Sequence, residues 1–342
     1  MYNDHYGLTA NPFQLTPDAR FWFESATHRK AMAYLGYGLA QGEGFIVITG
    51  EIGAGKTTLV GHLLESIDPA RLFAVRLAST QVETGDLLRL IAHGFGVASE
   101  GLEKAQLLGR IESALKERAR TGQQSLIIVD EAQNLSAAAL EELRLLSNFQ
   151  GVDRALLQIL LLGQPEFRHV FDAPDFEQLR QRVIATHHLK PMEADEVGPY
   201  IAHRLKCVGW TGRPDFADDA LRLIHKESAG IPRKINTLVS RALMMGTVTN
   251  SDIIDEQMVA AVVADMANDR VLQSPPTQPA ATVAPENRVF ADQATLLDVS
   301  ARVTMLEAQV AEQDAALRRV LTLLIDWAEG DSDRPNLKMP DA

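Results

Sequence analysis

The chain has 342 residues, of which 46% are hydrophobic, so it is long enough for two domains and apolar enough to fill their cores. This composition excludes a disordered protein, and we find no apolar run near the ~18 residues that cross a bilayer. The formal charge of −12 argues against a protein that mainly coats nucleic acid or anionic lipid, because both require a basic face.

The N-terminus and the cysteine content bear on the compartment. Residues 1–6 lack the basic region and the apolar stretch of a signal peptide. The single cysteine, Cys207, excludes an intrachain disulfide and a multi-cysteine metal site. We therefore expect a cytoplasmic protein that reaches the inner face of the membrane, if at all, as a peripheral protein through partners. Cys207 itself is predicted to be a small buried hydrophobic residue.

Residues 1–44 begin with a segment rich in aromatic side chains and continue into a helix predicted from Ser25 to Leu39. Aromatic residues at this density usually cover the edge of a core. Such a segment can also wall an adenine, in which case His28 or Arg29 would contact the base.

The next stretch matches the pattern of a loop that binds phosphate. An apolar, β-rich run over residues 45–49 precedes it, and a helical pattern follows it, so strand, glycine turn and helix stand in the required order. The loop consists of Gly50, Glu51, Ile52, Gly53, Ala54, Gly55, Lys56 and Thr57, with Thr58 next in the helix. Its backbone N–H groups and the positive end of the helix dipole would surround one anion.

The side chains of this loop indicate ATP and Mg²⁺ as the cofactors. Lys56 should reach the β- and γ-phosphates, and the hydroxyl of Thr57 should ligate Mg²⁺. The alternative is a glycine-rich turn that carries a lysine by chance.

A second strand is predicted over residues 72–77, followed by helices over 86–95 and 103–120. The run 125–129 then ends in Asp130 and Glu131, which describes a central parallel strand that delivers two carboxylates to its C-terminal edge. Asp130 would hold Mg²⁺ through its water shell, and Glu131 would polarise the attacking water.

The following elements offer three further polar candidates. A buried strand over residues 156–162 leads to Gln164, whose side chain would point at the γ-phosphate region. A short helix over 176–183 then carries Arg180 and Arg182 before a last strand over 184–189.

From residue 193 to residue 266 the pattern predicts helices only, which indicates a small helical bundle. Pro232 stands at the start of one of these helices and Arg233 lies in its first turn. The helix dipole disfavours a cation at that end, so we expect Arg233 to fold onto bound phosphates.

The C-terminal part of the chain changes character. Residues 273–286 contain four prolines and read as a stiff spacer. Residues 296–327 follow a heptad pattern in which Gln313 is the one polar seam residue. This stretch forms either a coiled coil or an amphipathic helix that docks on the ATPase body.

Several motifs together resemble those of AAA+ ATPases. They are Tyr6-Gly7-Leu8, Asn11-Pro12-Phe13, the run from Gly42 to Glu51, Asp130-Glu131-Ala132-Gln133-Asn134-Leu135, Leu162-Gly163-Gln164-Pro165-Glu166 and Gly230-Ile231-Pro232-Arg233. More narrowly, they resemble the ExeA/GspA type of secretion ATPase and the ATPases that accompany XrtA exosortase/PEP-CTERM and exopolysaccharide systems. The likeness covers residues 1 to about 266.

The resemblance implies roles for the arginines and a homo-oligomer, either a ring or a dimer. Arg182, or Arg180 as the alternative, would be the finger that reaches a neighbouring subunit's nucleotide, and Arg233 would be the lid's sensor arginine. Gln164 departs from the Asn, Ser or Thr that many AAA+ proteins carry. Ser79 and Thr80 stand where an asparagine often restrains the catalytic glutamate.

The predicted fold is an α/β P-loop NTPase of the AAA+ type, a parallel-sheet domain with a helical lid. We place the nucleotide-binding domain at residues 1–190, the lid at 191–267, a Pro-rich linker at 268–290, a coiled-coil helix at 291–328 and a disordered tail at 329–342. ExeA proteins carry a membrane span and a peptidoglycan-binding region that we do not find here, so an envelope role would run through partners bound by residues 291–328.

We interpret the chain as an ATPase, converting ATP and water to ADP and phosphate, that powers or regulates assembly or export in a cell-envelope system. One alternative is a DNA-binding AAA+ switch ATPase like those that select transposition targets. Acidic residues outnumber basic ones over residues 1–266, which disfavours that alternative. Another is a nucleotide-binding scaffold without turnover, against which Glu131 speaks. The cargo is not visible in the sequence.

Overall fold

The computed structural model describes residues 2–16, 18–77, 84–152, 154–168, 173 and 176–273. Two short 3-10 turns lie at Ala19–Phe21 and Ala132–Asn134. The helices are α1 Tyr2–Tyr6, α2 Ala26–Gln41, α3 Lys56–Ser66, α4 Thr84–Gly94, α5 Lys104–Arg120, α6 Ala137–Leu146, α7 Glu177–Arg180, α8 Ala194–Lys206, α9 Asp218–Ser228, α10 Pro232–Val248 and α11 Glu256–Gln273. The strands are β1 Phe45–Gly50, β2 Leu72–Leu77, β3 Gln124–Val129, β4 Gln158–Gly163, β5 Val183–Leu189, β6 Asp215–Phe216 and β7 Ile253–Ile254.

The five longer strands form one parallel sheet in the order β2-β3-β4-β1-β5. The prediction of an α/β parallel-sheet fold is therefore confirmed. The register pairs Thr49 with Gly163 and Val129 with Leu161, so the ends of β1, β3 and β4 reach the same edge of the sheet. Ligands of open α/β sheets bind at that edge, and all the predicted site residues that follow these strands are delivered there.

Both faces of the sheet are covered, which is why its strands read as continuous apolar runs. One face packs on α4, α5 and α6 through a cluster that includes Phe45, Ile127 and Leu161. The other face packs on α2 and α3 through a cluster that includes Ile48 and Leu126. Every residue of β1 and β4 is buried.

Helices α8 to α11 form a second core, which we call the lid. The N-terminal segment belongs to this core, because Tyr6, Phe13 and Phe21 are buried among the lid's apolar residues. The dense aromatic residues near the N-terminus thus cover a core edge, and the edge is that of the lid.

The sequence pattern predicted a lid made of helices alone, and this prediction is wrong. Strands β6 and β7 form a short parallel pair, with Asp215 opposite Ile253 and Phe216 opposite Ile254. Two residues per strand are too few to produce the alternation by which a strand is recognised in sequence. The pair fixes the chain entering α9 against the chain entering α11.

The predictions for Cys207 and for the end of the lid need correction. Cys207 is exposed, because it stands at the C-terminal end of α8, where its Sγ lies 3.4 Å from the carbonyl oxygen of Arg20. Helix α11 continues to Gln273, six residues beyond the predicted lid boundary at residue 267. The predicted spacer and heptad helix lie outside the described residues. Among the helices that the structure describes, none is both long and apolar enough to cross a membrane.

Candidate functional site

The phosphate loop lies between β1 and α3 and has the backbone that its glycines permit. Gly53 and Gly55 have φ angles of 84° and 96°, which side chains with a Cβ rarely adopt. A Cβ on Gly53 would lie 2.4 Å from Cβ of Arg233, and one on Gly55 would lie 2.8 Å from Nε2 of His28. The loop is therefore enclosed by the lid on one side and by α2 on the other.

Lys56 opens α3 and is buried, with its ammonium group turned along the loop. Its Nζ donates to the carbonyl oxygens of Gly50, at 2.6 Å, and Glu51, at 3.0 Å. Burial lowers the pKa of Lys56, and the nearby carboxylates of Glu131 and Asp130 oppose this shift. The acidic neighbours thus help to keep a cation at the place where polyphosphate charge would collect.

Asp130 and Thr57 meet at the mouth of the loop, as their predicted roles require. The hydroxyl of Thr57 donates to Oδ2 of Asp130 across 3.1 Å. Arg76 on β2 donates to the same oxygen across 2.8 Å. Oδ1 of Asp130 accepts from the backbone N–H of Glu131 at 3.1 Å, so both carboxylate oxygens have partners.

Glu131 is held in an unusual backbone conformation beside Asp130. Its φ and ψ are 53° and 44°, in the left-handed region that non-glycine residues rarely occupy. Oε2 of Glu131 accepts from Nε2 of Gln133 at 2.5 Å and from Nε2 of Gln164 at 3.1 Å. The structure thus brings Gln164 to Glu131, where sequence reasoning placed Gln164 beside the γ-phosphate.

Arg233 is the lid residue that closes over the loop. Its backbone N–H donates to the carbonyl oxygen of Gly53 at 3.2 Å, and its side chain packs against that glycine. Loop, lid and N-terminal segment together line a cavity of about 350 Å³. The predicted site residues among its lining are Ile52, Gly53, Gly55, Lys56, Thr57, Thr58, Glu131 and Arg233.

The two candidate finger arginines lie away from this cavity's phosphate loop. Arg182 precedes β5, and its carbonyl oxygen accepts from the N–H of Phe45 at the start of β1. The loop follows the far end of β1, about 16 Å away at 3.3 Å per residue. Arg182 Nη1 lies 3.5 Å from Ser147, and Arg180 forms an ion pair with Glu177.

Of the two residues proposed to touch a base, the structure brings one to the cavity. His28 is buried, lines the cavity, and its Nδ1 lies 2.7 Å from Oγ of Ser25, which caps α2. Burial lowers the pKa of His28 to about 4, although the carboxylate of Glu196 and the backbone of Ala54 favour the protonated form. Arg29 is largely exposed and lies 3.9 Å from Glu24.

Sequence reasoning missed Arg76 and Gln133 as members of the site. Arg76 could have been noticed, because it is the one charged residue in the otherwise apolar strand β2. Arg76 stands opposite Ile128, two residues before Asp130, so the alternation of side chains puts Arg76 and Asp130 on the same face. Gln133 gave no signal beyond its place in the Asp-Glu-Ala-Gln motif.

Comparison with known proteins relates the part of the chain that carries this site to a family and to one curated relative. Residues 39–171 match the family model described as the AAA domain. The chain is 35% identical to the general secretion pathway protein A of Aeromonas hydrophila over 278 residues, or 80% of this chain. The chain spans about half the length of that relative, 50%.

Solved structures share the fold at low identity. The Cdc6p protein of Pyrobaculum aerophilum is 16% identical, with a TM-score of 0.58 over 77% of this chain and 74% of that chain. The ORC2 protein of Aeropyrum pernix, solved in ADPNP and ADP complexes, is 17% identical, with a TM-score of 0.55 over 75% of this chain and 71% of that chain. The described chain therefore has the P-loop AAA fold.

Proposed function

Because this chain carries an AAA domain and is similar to general secretion pathway protein A over 80% of this chain and 50% of that protein, we propose that it is an ATPase of a cell-envelope export system. The observation that carries the enzymatic part is the meeting of Thr57, Asp130 and Glu131 at the mouth of the phosphate loop. A loop that only bound nucleotide would not need a second carboxylate at that place.

ATP and Mg²⁺ fit the groups that the site offers. The left-handed glycines leave the loop backbone open to a polyphosphate, and Lys56 supplies the positive charge. The hydroxyl of Thr57 and the carboxylate of Asp130 are oxygen donors of the kind that Mg²⁺ prefers. When bound, Mg²⁺ would neutralise charge on the transferred phosphoryl group.

The chain's own residues then have separate tasks in this proposal. Lys56 and Arg233 bind and orient the phosphates from opposite sides of the loop, and Glu131 takes the proton of the attacking water. Arg182 acts on the nucleotide of a neighbouring subunit, since β1 separates it from its own loop. The active species is therefore a homo-oligomer, a ring or a dimer.

A binding assay with a matched lysine variant tests the nucleotide site. Lys56→Ala should weaken ATP binding by about a hundredfold or more, since a buried cation on the phosphates is lost. Lys226→Ala, an exposed lysine on α9, should bind ATP like the unchanged protein. Equal ATP affinity of the unchanged protein and both variants would show that Lys56 and its loop do not bind the phosphates of ATP.

For the cellular role, we propose an assembly or export step, in a secretion system or in an exosortase or exopolysaccharide system. The similarity to general secretion pathway protein A supports the first, and the motifs noted in the sequence support the second. We further propose that residues 291–328 bind an envelope-system protein, because an isolated heptad helix would leave its apolar seam in water.

Shortening the chain tests that recruitment step. The chain should be ended after Ser274, because α11 continues to Gln273. The shortened protein should keep ATP binding but lose envelope-system partners in a pull-down from the native cell extract. Capture of the same partners by both proteins would refute the recruitment role.

Salt-sensitive ATP hydrolysis that DNA stimulates would instead favour the alternative function, the DNA-binding switch ATPase.

A further inference from the structure

Strand β5 forms one edge of the sheet, and no other strand of the described chain lies on its outer side. The sheet ends in the order β1-β5, so alternate residues of Val183–Leu189 turn their N–H and C=O groups away from β1. Within the described residues, no backbone hydrogen bond joins these outward groups to another element. Such a row of unpaired backbone groups is a template for a further strand.

The sequence of β5 lacks the devices that usually protect a sheet edge. Proteins commonly guard their edges with proline, with charged side chains, or by keeping the edge strand very short. Strand β5 has seven residues, Val-Ile-Ala-Thr-His-His-Leu, with no proline, lysine, arginine or carboxylate among them. The opposite edge strand, β2, carries Arg76. The β5 edge is therefore open to a strand added along it.

Helix α2 packs on β5 and presents two exposed tyrosines beside this edge. A Cβ on Gly38 would lie 3.5 Å from Cβ of Ala185, so α2 covers the face of β5 that carries Ala185. His187 is two residues further and shares that face, where its ring stacks on Tyr34 with centroids 5.1 Å apart. Tyr34 and Tyr37 are 47% and 60% exposed. A strand added to β5 would meet these aromatic rings on one of its faces.

Two exposed lysines make the same surface positive. Lys30 lies on α2 and Lys190 directly follows β5, and neither forms an ion pair within the described residues. Burial lowers the pKa of His187, and the charges of His188, Lys30 and Lys190 lower it further, against the backbone of Thr27. No carboxylate is among these groups. The surface is thus positive in a chain whose formal charge is −12.

We propose that β5 and the outer side of α2 form a docking surface for an acidic, extended segment of another protein, which pairs with β5 as a sixth strand. This β5 surface consists of Val183–Leu189, Lys30, Tyr34, Tyr37 and Lys190. Main-chain hydrogen bonds to β5 supply affinity, while apolar side chains on the tyrosines and carboxylates on the lysines supply specificity. The inference goes beyond the proposed ATPase and does not depend on it.

Two observations favour an acidic segment over the other occupants of such a surface. A second copy that paired edge to edge about a twofold axis would bring the same two lysines to the interface, where like charges repel. A single strand of nucleic acid would use the lysines and the tyrosines, but it would leave the outward N–H and C=O groups of β5 without partners. An acidic extended peptide satisfies the charges and the backbone together.

Three blocked peptides of about eight residues, the length of a strand like β5, serve as probes. One alternates valine with glutamate, one alternates valine with lysine, and the third repeats the first with N-methyl groups on its backbone nitrogens. Calorimetry with the full-length chain measures affinity, and amide hydrogen exchange locates the bound peptide. The glutamate peptide should bind about tenfold tighter than the other two, because only it has both the charge and the backbone donors, and it should slow exchange along β5.

Variants of the surface separate its charge from its aromatic side chains. Lys30→Gln combined with Lys190→Gln should weaken binding of the glutamate peptide about fivefold, as expected for two exposed ion pairs. Tyr37→Ser should weaken it about threefold through lost apolar contact. Lys206→Gln combined with Lys226→Gln removes two exposed lysines of the lid and should leave the affinity unchanged. All these variants should hydrolyse ATP like the unchanged protein, so the docking surface is tested apart from the ATPase.

Four results would overturn the proposal. Equal affinity for the glutamate and lysine peptides would exclude charge recognition, and equal affinity for the N-methylated peptide would exclude strand addition. A single-stranded oligonucleotide of thymidines that binds more tightly than the glutamate peptide, and is lost in the double lysine variant of the β5 surface, would assign the surface to nucleic acid. Slow exchange along β5 without peptide, increasing with protein concentration, would show that a second copy covers the edge.

Discussion

Arg76 and Thr57 donate hydrogen bonds to the same oxygen, Oδ2 of Asp130, across 2.8 and 3.1 Å. One donor is a fixed cation on β2 and the other is the hydroxyl proposed to ligate Mg²⁺. If Mg²⁺ binds here as we propose, the guanidinium group would compete with the metal ion for the carboxylate.

The first prediction is that Arg76→Gln tightens magnesium binding. Removing the competing charge should lower the apparent Kd for Mg²⁺, measured by titration in the presence of ATP, about threefold, as expected for a partly exposed ion pair. Arg71→Gln removes an equal charge from an exposed position just before β2 and should leave this Kd unchanged. A weaker hold on Mg²⁺ in Arg76→Gln would show that Arg76 supports the metal site instead.

The second prediction concerns the closure of the lid through Arg233. Arg233→Ala should weaken ATP binding about tenfold, because a charge-assisted contact to the phosphates is lost. Arg241→Ala, on the same helix but paired with Asp269, should bind ATP normally. Calorimetric titration of both variants makes the comparison, and equal affinities would place Arg233 outside the nucleotide site.

The third prediction is that Arg182 acts across a subunit boundary. Lys56→Ala and Arg182→Ala should each be nearly inactive alone, yet their mixture should regain part of the ATPase activity, because an intact loop then meets an intact arginine. Arg180→Ala, which breaks the ion pair with Glu177, tests the other candidate. If the mixture stays as inactive as its components, the action in trans is wrong.

Some of the residues in these predictions could be assigned from the sequence alone, and others could not. The strand, loop and helix around Lys56 are encoded in local patterns, so the loop and the acidic strand end at Asp130 could be read directly. The pairing of Arg76 with Asp130 depends on the register of β2 and β3, two strands with 46 residues between them in the chain. At the ends of these strands, Leu77 stands opposite Val129.

Other features escaped the sequence for different physical reasons. The contacts of Gln133 and Gln164 with Glu131 depend on the left-handed backbone of Glu131, and a glutamate in the sequence does not predict that conformation. The exposure of Cys207 depends on where α8 ends. Gln164 was placed correctly after β4, but its contact with Glu131 is a tertiary interaction between two loops.

The fourth prediction concerns pH and His28. The pKa of His28 is lowered from 6.5 to about 4 in the folded chain, so the unfolded chain binds more protons between these values. The contribution of His28 to the free energy of unfolding is therefore fully present above about pH 6.5, and it is lost as the pH falls toward and through the folded-state pKa of about 4.

His28→Gln should therefore lose less stability on acidification. Between pH 7.5 and pH 4.5, the free energy of unfolding should fall by about 2 to 3 kcal/mol more in the unchanged protein than in the variant. Urea unfolding at the two pH values measures this, with His93→Gln, an exposed histidine on α4, as the control. An equal fall in all three proteins would mean that His28 does not titrate in this window.

The most direct test of the account is the effect of Glu131→Gln on binding and on turnover, measured on one preparation. Binding of ATP with Mg²⁺ should stay within about twofold of the unchanged protein, because the loop, Thr57 and Asp130 are intact, while kcat should fall by about a hundredfold or more, because the group that takes the proton of water is gone. A variant that hydrolyses ATP at the unchanged rate would contradict the assignment of Glu131 as the catalytic base and the mechanism built on it.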